Sequence, residues 1–204
     1  MTPGSSGARR PRGRPPLPRD QQRRRLVDAA WRAFEARHYD KTSVADIVRE
    51  AGMSSRSFYD HFASKEDLVA AIVEDYGARL LAELGEILRE PAEDLADQSE
   101  RSLRAFLELL PTVAIDLERI GGHAGRRVGE VRRLLVQAVV DLLLAHLERV
   151  YAQGRVSRAP SRPAVELLVT GVESLGLRYY GEGRREELLA LRPALLQAIL
   201  RVLA

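Results

Sequence analysis

Leu68, Ile72, Tyr76, Leu80, Leu84 and Leu88 recur at intervals of four, and no proline interrupts the run. That spacing keeps the apolar side chains on one stripe of an α-helix, so it predicts a long amphipathic helix that needs partners to cover it. The other leucine-rich stretches follow the same period of three to four, and polar–apolar alternation is nowhere sustained. The predicted fold class is all-α. At 204 residues the chain can hold one or two domains and bury a substantial core.

The chain has no cysteine, which excludes disulfides, thiolate nucleophiles and Cys-based zinc sites. No apolar signal core follows the basic N-terminal residues. The most apolar stretch, Leu134 to Leu147, is interrupted by Gln137 and Asp141 and is too short to span a membrane. A cytoplasmic protein is expected.

Charge is distributed unevenly. Residues 1–70 hold 14 Lys and Arg against 9 Asp and Glu, whereas residues 71–204 hold 18 against 20. Eight arginines and one aspartate fall within the first 25 residues. This asymmetry points to a polyanionic partner at the N-terminal end, the alternative being a solvated tail. Residues 1–19 are Pro, Gly, Ser and Arg with little apolar content, so a disordered basic arm is expected. Arg12 and Arg14 flank Gly13 in it, as in arms that lie in a narrow minor groove, although arginine–proline tails also occur without that role.

From 20 to 66 the sequence describes three short helices. The first runs from about Asp20 to Arg37, with Leu26, Ala30 and Phe34 on one face and Trp31 beside them as core. Near His38 a left-handed cap is expected, a place glycine usually fills. Thr42 and Ser43 open the second helix, with Asp46 placed to complete a capping box, and Gly52 ends it. Ser54 or Ser55 caps the third, through about His61, and Ser64 caps the long fourth helix with Asp67 three residues on.

A short helix, a glycine turn and a second short helix rich in hydroxyls form a helix-turn-helix, whose second helix enters the major groove. Ser54, Ser55, Arg56 and Ser57 cluster at the start of that helix, where backbone N–H groups favour phosphate. The Arg56 guanidinium can bond guanine O6 and N7 together, or else hold a phosphate. Tyr59 offers a phenol to a phosphate oxygen, as Thr42 and Ser43 offer hydroxyls. His61 either reaches phosphate or covers the core. Lys65 stands in the first turn of the fourth helix, where its charge opposes the helix dipole, so phosphate contact is expected rather than a stabilising role. Phe58 and Phe62 are read as core.

In these residues the chain resembles the TetR family of bacterial transcriptional regulators. The resemblance rests on Ala29-Ala30, Phe34, Tyr39 through Val44, Asp46-Ile47, Ala51 through Ser54, Phe58-Tyr59, His61-Phe62 and Ser64 through Leu68, and it covers roughly residues 22 to 70. His38 stands where the family usually has glycine, and Arg56-Ser57-Phe58 replaces a more common Gly-Thr-Leu. The resemblance implies a double-stranded DNA operator as partner, contacts from Tyr59 and Lys65 to phosphate, and residues 67–204 as a helical effector-binding and dimerisation domain.

Within that domain, Pro91, Pro111, Gly121-Gly122 and the Gly154 to Pro163 segment punctuate helices at about 92–110, 111–120, 124–153, 162–181 and 184–203. Leu188, Leu191, Leu195, Ile199 and Val202 form a stripe on the last helix. Val165, Val169 and Val172 form another on the one before, where Gly171 and Gly176 allow close approach. By resemblance these stripes make a four-helix homodimer interface, an intrachain core being the alternative. The resemblance also implies a cavity for a small, largely apolar effector, with Phe106, Leu110, Leu117, Leu143, His146 and Glu173 as candidate lining. The expected function is a homodimeric repressor released from a palindromic operator by that effector.

Two other classes compete. An enzyme would need a nucleophile, nucleotide loop or metal pair, and no such pattern is recognisable; neither a cofactor nor a metal is expected. A DNA-bound interaction protein would share the reading unit but bind a protein through its C-terminal domain. A solid, cavity-free helical domain would favour that reading, and a cavity of at least about 300 Å³ the sensor.

Overall fold

The computed structural model describes residues 17–90, 94–110 and 123–203. Arg12, Arg14, Leu117 and the helix expected at 111–120 lie outside the described residues. Those described form only helices: α1 (Arg19–Arg37), α2 (Val44–Ala51), α3 (Ser55–Tyr59), α4 (Lys65–Ile87), α5 (Leu95–Leu109), α6 (His123–Ala152), α7 (Arg162–Gly181), α8 (Arg185–Ala190) and α9 (Arg192–Leu203).

Local chemistry sets most of these boundaries. Ser43 and Asp46 form the reciprocal capping box at the start of α2, and Gly52 at its end takes the left-handed conformation with φ 62°. Ser54 and Ser64 accept N–H bonds from Ser57 and Asp67 and so start α3 and α4. The helix expected as one piece over 184–203 is two. Pro193 has no N–H for the Leu189 carbonyl and its ring crowds that group, so the chain turns at Leu191 and α9 restarts with Pro193 in its first turn.

One continuous core runs from α1 to α6. Leu26, Ala30 and Phe34 of α1 meet Ile47 and Val48 of α2, Phe58 of α3 and Leu68, Ile72 and Tyr76 of α4, and Val128 and Val139 of α6 extend the same cluster. Leu26, Ile47, Phe58 and Leu68 are fully buried, each contributing about 1.5–3 kcal/mol relative to exposure. The helical stripe along α4 is thus shared, covering the small N-terminal bundle at one end and the larger C-terminal one at the other. Gly77 lets α6 close in, since a Cβ there would stand 2.8 Å from Leu135. A second cluster joins Leu103, Leu107 and Leu110 at α5 to Leu188 of α8. No helix among the described residues is long and apolar enough to cross a membrane.

Candidate nucleic-acid interface and effector cavity

Ser54, Ser55 and Arg56 are exposed at the start of α3, and Tyr59 is 60% exposed at its end. Phe58, between them in sequence, is fully buried and packs edge-on to Tyr59 and against Phe62, which fixes the rotation of the helix about its axis. The Arg56 guanidinium has no hydrogen bond or ion pair among the described residues, so its donors are free for an incoming acceptor. Ser54 and Ser57 bond to each other at 3.1 Å as part of the cap, which leaves Ser55 and Arg56 as the uncommitted side chains. His61 lies 3.4 Å from Gln22 of α1 and half covers the core.

Two expectations for the flanking residues are corrected. Thr42 is buried, and its hydroxyl lies 2.8 Å from the His38 carbonyl and 3.2 Å from that of Ala33. It ties the end of α1 to the turn and has no free donor for phosphate. Lys65 does stabilise the fold, contrary to the helix-dipole argument. Its ammonium donates to the carbonyls of Tyr39 and Thr42, both at 3.0 Å, and sits 3.8 Å from the centre of the Tyr39 ring. Those three contacts outweigh an unfavourable dipole worth a fraction of a kcal/mol. One of its three N–H groups remains for a phosphate.

Burial holds the Lys65 ammonium below its ordinary value. Burial also raises the Tyr39 phenol, as does its 2.8 Å bond to Glu66. Burial alone would raise Glu66, but the hydrogen bonds it receives, first from Tyr39, hold its carboxyl low. Ser43 is exposed, yet its hydroxyl donates to Asp46 at 2.6 Å and accepts the Asp46 N–H, so its part at a DNA surface is to hold α2 in place.

Behind this head, α4 leads to a cavity of about 140 Å³ bounded by α4, α5, α6, α7 and α9, smaller than the ~300 Å³ that would favour the sensor reading. Phe106, Leu143, His146 and Glu173 line it as expected of them, whereas Leu110 does not. Leu110 is buried against α7, where a Cβ on Gly176 would come within 2.5 Å of it. Tyr76, Gln98 and Ser102 also line the cavity and were not among the sequence candidates. Tyr76 reads as one more stripe position, and only tertiary packing reveals that it lines a cavity and leaves its hydroxyl buried without a partner among the described residues. Burial raises that phenol's pKa, with Glu173 adding to the effect. Glu173 itself accepts from Arg132 at 2.7 Å.

The proposed dimer stripes turn inward. Val165 and Leu188 are buried in their own chain, Val169, Val172 and Ile199 line the cavity, and Leu195 packs against the second core cluster. Leu191 and Val202 are half-buried. An apolar stripe faces the nearest apolar surface, which here is α5 and α6. Gly176 admits the end of α5, where Leu110 lies close, and a Cβ at Gly171 would meet nothing within 4 Å. Leu167, 71% exposed on α7, lies on the opposite face with Thr170 and Ser174.

Comparison with known proteins agrees with this architecture. Residues 26–72 match the model of the bacterial regulatory proteins of the tetR family. The chain is 34% identical over 157 residues to the uncharacterised HTH-type transcriptional regulator YdgC of Bacillus subtilis, covering 76% of this chain and 79% of that one. Among solved structures, the fatty acid degradation regulator FadR of Bacillus halodurans superposes with a TM-score of 0.73 at 16% identity, over 90% of this chain and 95% of that one. FadR of Bacillus subtilis, in complex with stearoyl-CoA, superposes with a TM-score of 0.66 at 16% identity, over 85% and 95%. The chain belongs to the TetR family of bacterial transcriptional regulators, DNA-binding proteins that are not enzymes.

Proposed function

We propose that this protein is a homodimeric repressor that leaves a palindromic operator when a small, largely apolar molecule enters the cavity between α4 and α7. The observation that carries the reading is the continuity of α4. Its first turn holds Lys65 at the DNA-facing loop, and its last turns, from Tyr76 to Leu88, wall the cavity. A ligand that spreads the cavity favours a different setting of α4 and hence of α3. Residues 20–66 act as the reading unit and residues 67–204 as sensor and dimer, with the protein working in the cytoplasm.

Arg56 reads a base edge in this scheme, Ser55, Tyr59 and the spare Lys65 proton hold phosphates, and Arg12 and Arg14 reach the minor groove. The dimer forms through the outward faces of α7 and α9, where Leu167 supplies apolar area and Ala194 and Ala198 allow close approach. Two heads then reach half-sites about one helical turn (~34 Å) apart. The long acyl chain held by a protein of the same fold supports an elongated apolar ligand.

Selection of bound duplexes from a random DNA pool at fixed salt tests the reading. A palindrome is the expected product. Binding that tracks only salt, with no recovered motif, would refute sequence-specific repression and favour a C-terminal domain that serves a protein partner.

A further inference from the structure

The cavity's polar groups fix the kind of ligand head it takes. Tyr76, Gln98, Ser102 and His146 all line it, and Tyr76 Oη, Gln98 Oε1, Ser102 Oγ and His146 Nε2 are buried polar atoms with no hydrogen-bond partner among the described residues. Buried polar atoms are rarely left so, and four on the residues around one cavity mark a wall that small side-chain rotations would open to a ligand's polar end. Among the described residues Glu173 is the one charged side chain of the lining, with no lysine or arginine beside it there.

Two of these atoms have their role set by the end of α4. The last carbonyls of a helix lack intrahelical partners. Gln98 Nε2 donates one hydrogen to the Ile87 carbonyl at 3.2 Å and the other to that of Glu90 at 3.1 Å. Both amide hydrogens are used, so Oε1 is what remains, an acceptor without a donor. His146 bonds the Leu88 backbone, and since Nε2 is the unpartnered nitrogen, Nδ1 makes that bond. Burial holds the imidazole's pKa below its ordinary value, and in the neutral form a ring that donates through Nδ1 has a lone pair at Nε2. The turn that follows α4, residues 87–90, thus anchors two side chains from two other helices.

We propose that the effector is an uncharged amphiphile whose polar end donates hydrogen bonds to Gln98 Oε1 and His146 Nε2, a primary amide through its two N–H groups to both and an alcohol through its one O–H to either, with its apolar body lying along α4 toward Tyr76. At Gln98 and His146 a carboxylate or phosphate head brings acceptors to acceptors, which leaves it only the Tyr76 and Ser102 hydroxyls as donors, with the Glu173 carboxylate among the lining residues to oppose its charge. Twelve residues of helix separate Leu88 from Tyr76, or about 18 Å, which suits a chain of about ten carbons with room for a head at one end. The same contacts cap α4, so the ligand's head acts directly on the helix that carries Lys65. This inference rests on the sensor reading above.

The test is calorimetric titration of the full-length protein with four ten-carbon compounds: 1-decanol, decanamide, decyl methyl ether and decanoate. The alcohol and the amide should bind at least about tenfold more tightly than the ether and the carboxylate. Gln98→Leu should reduce that preference, with operator binding checked to show that the variant is folded; the wild-type series decides the matter even if it is not. Equal binding by ether and alcohol, or tighter binding by decanoate, would overturn the assignment while leaving the sensor reading intact. Binding by none of the four would overturn it as well, and if none moves operator affinity the result counts against both.

Discussion

Arg127, in the first turns of α6, pairs with Asp67, in the first turn of α4, at 3.1 Å. The other oxygen of Asp67 accepts the Ala63 N–H at 3.1 Å, in the turn that follows α3. A wall of the cavity is therefore joined by one carboxylate to the loop that positions the reading helix. Arg127 is well exposed, so the pair contributes less than about 1 kcal/mol to stability. For Arg127→Gln we predict an almost unchanged melting temperature and a weaker effect of any effector on operator affinity. Titrating operator with and without ligand measures that coupling, and a coupling equal to wild type would rule out the route through Arg127.

His38 is strained. With φ 63° and ψ 156° it is the only non-glycine residue at positive φ among those described, in a region used almost solely by glycine. Its N–H and carbonyl are bound to Phe34 and Thr42, both at 2.8 Å, so it cannot relax. Relief of about 1–3 kcal/mol exceeds the added chain entropy of a glycine, about 0.5–1 kcal/mol. His38→Gly is expected to stabilise by about 1 kcal/mol, seen as a higher melting temperature. A lower one would show that the backbone is not strained.

Arg56 and Lys65 should fail differently. Arg56 is exposed and unpaired, so Arg56→Ala should leave stability within about 0.5 kcal/mol of wild type and relax specificity by about 1–3 kcal/mol at one base position. Lys65→Ala removes two charged hydrogen bonds to the turn and should cost about 1–3 kcal/mol of stability. It should also weaken every DNA sequence alike and flatten the salt dependence by about one. Denaturant melts beside binding isotherms on specific and random duplexes separate the two, and equal relaxation of specificity by both would contradict these roles.

His146 makes stability depend on pH in a definite direction. Burial lowers its pKa below the ordinary 6.5, with Arg149 and Arg155 adding to the shift against a raising bond to Leu88. In the unfolded chain the ring takes a proton as pH falls through 6.5, while the folded chain resists until its lower value is passed. The stability is therefore fully present above 6.5 and is lost as pH drops from there through the folded pKa. Urea midpoints between pH 7.5 and 5.5 should fall in wild type and fall less in His146→Leu. Parallel slopes in the two proteins would assign the loss elsewhere.

Leu167 should report the dimer. Leu167→Arg places a charge on an exposed face, so the monomer's stability should change by less than about 0.5 kcal/mol. Sedimentation should show dissociation and operator affinity should drop with it. A dimer that persists would move the interface away from α7.

Much of the reading head was legible because its signals are local. Ser43 with Asp46, Gly52, Ser54 and Ser64 with Asp67 each cap within three residues, and all occupy the positions expected of them. Where a long-range neighbour decides a role, the local reading failed. Lys65 finds Tyr39 and Thr42 more than 20 residues away, contacts that no helix-dipole argument includes. Thr42, assigned to phosphate for its hydroxyl, is closed off by the turn at His38.

The helical class, the helix-turn-helix and the stripe along α4 could be read locally, because periodicity and capping depend on residues within a turn or two of one another. What each stripe faces depends on how distant helices pack. Val169, Val172 and Ile199 share faces that could equally have met a second chain, and they meet a cavity because α4, α5 and α6 lie nearer. Gln98 spends both amide hydrogens on the carbonyls of Ile87 and Glu90, at and past the end of α4, contacts that no local pattern announces. Periodicity tells which side chains stand together, and packing alone tells what stands opposite them.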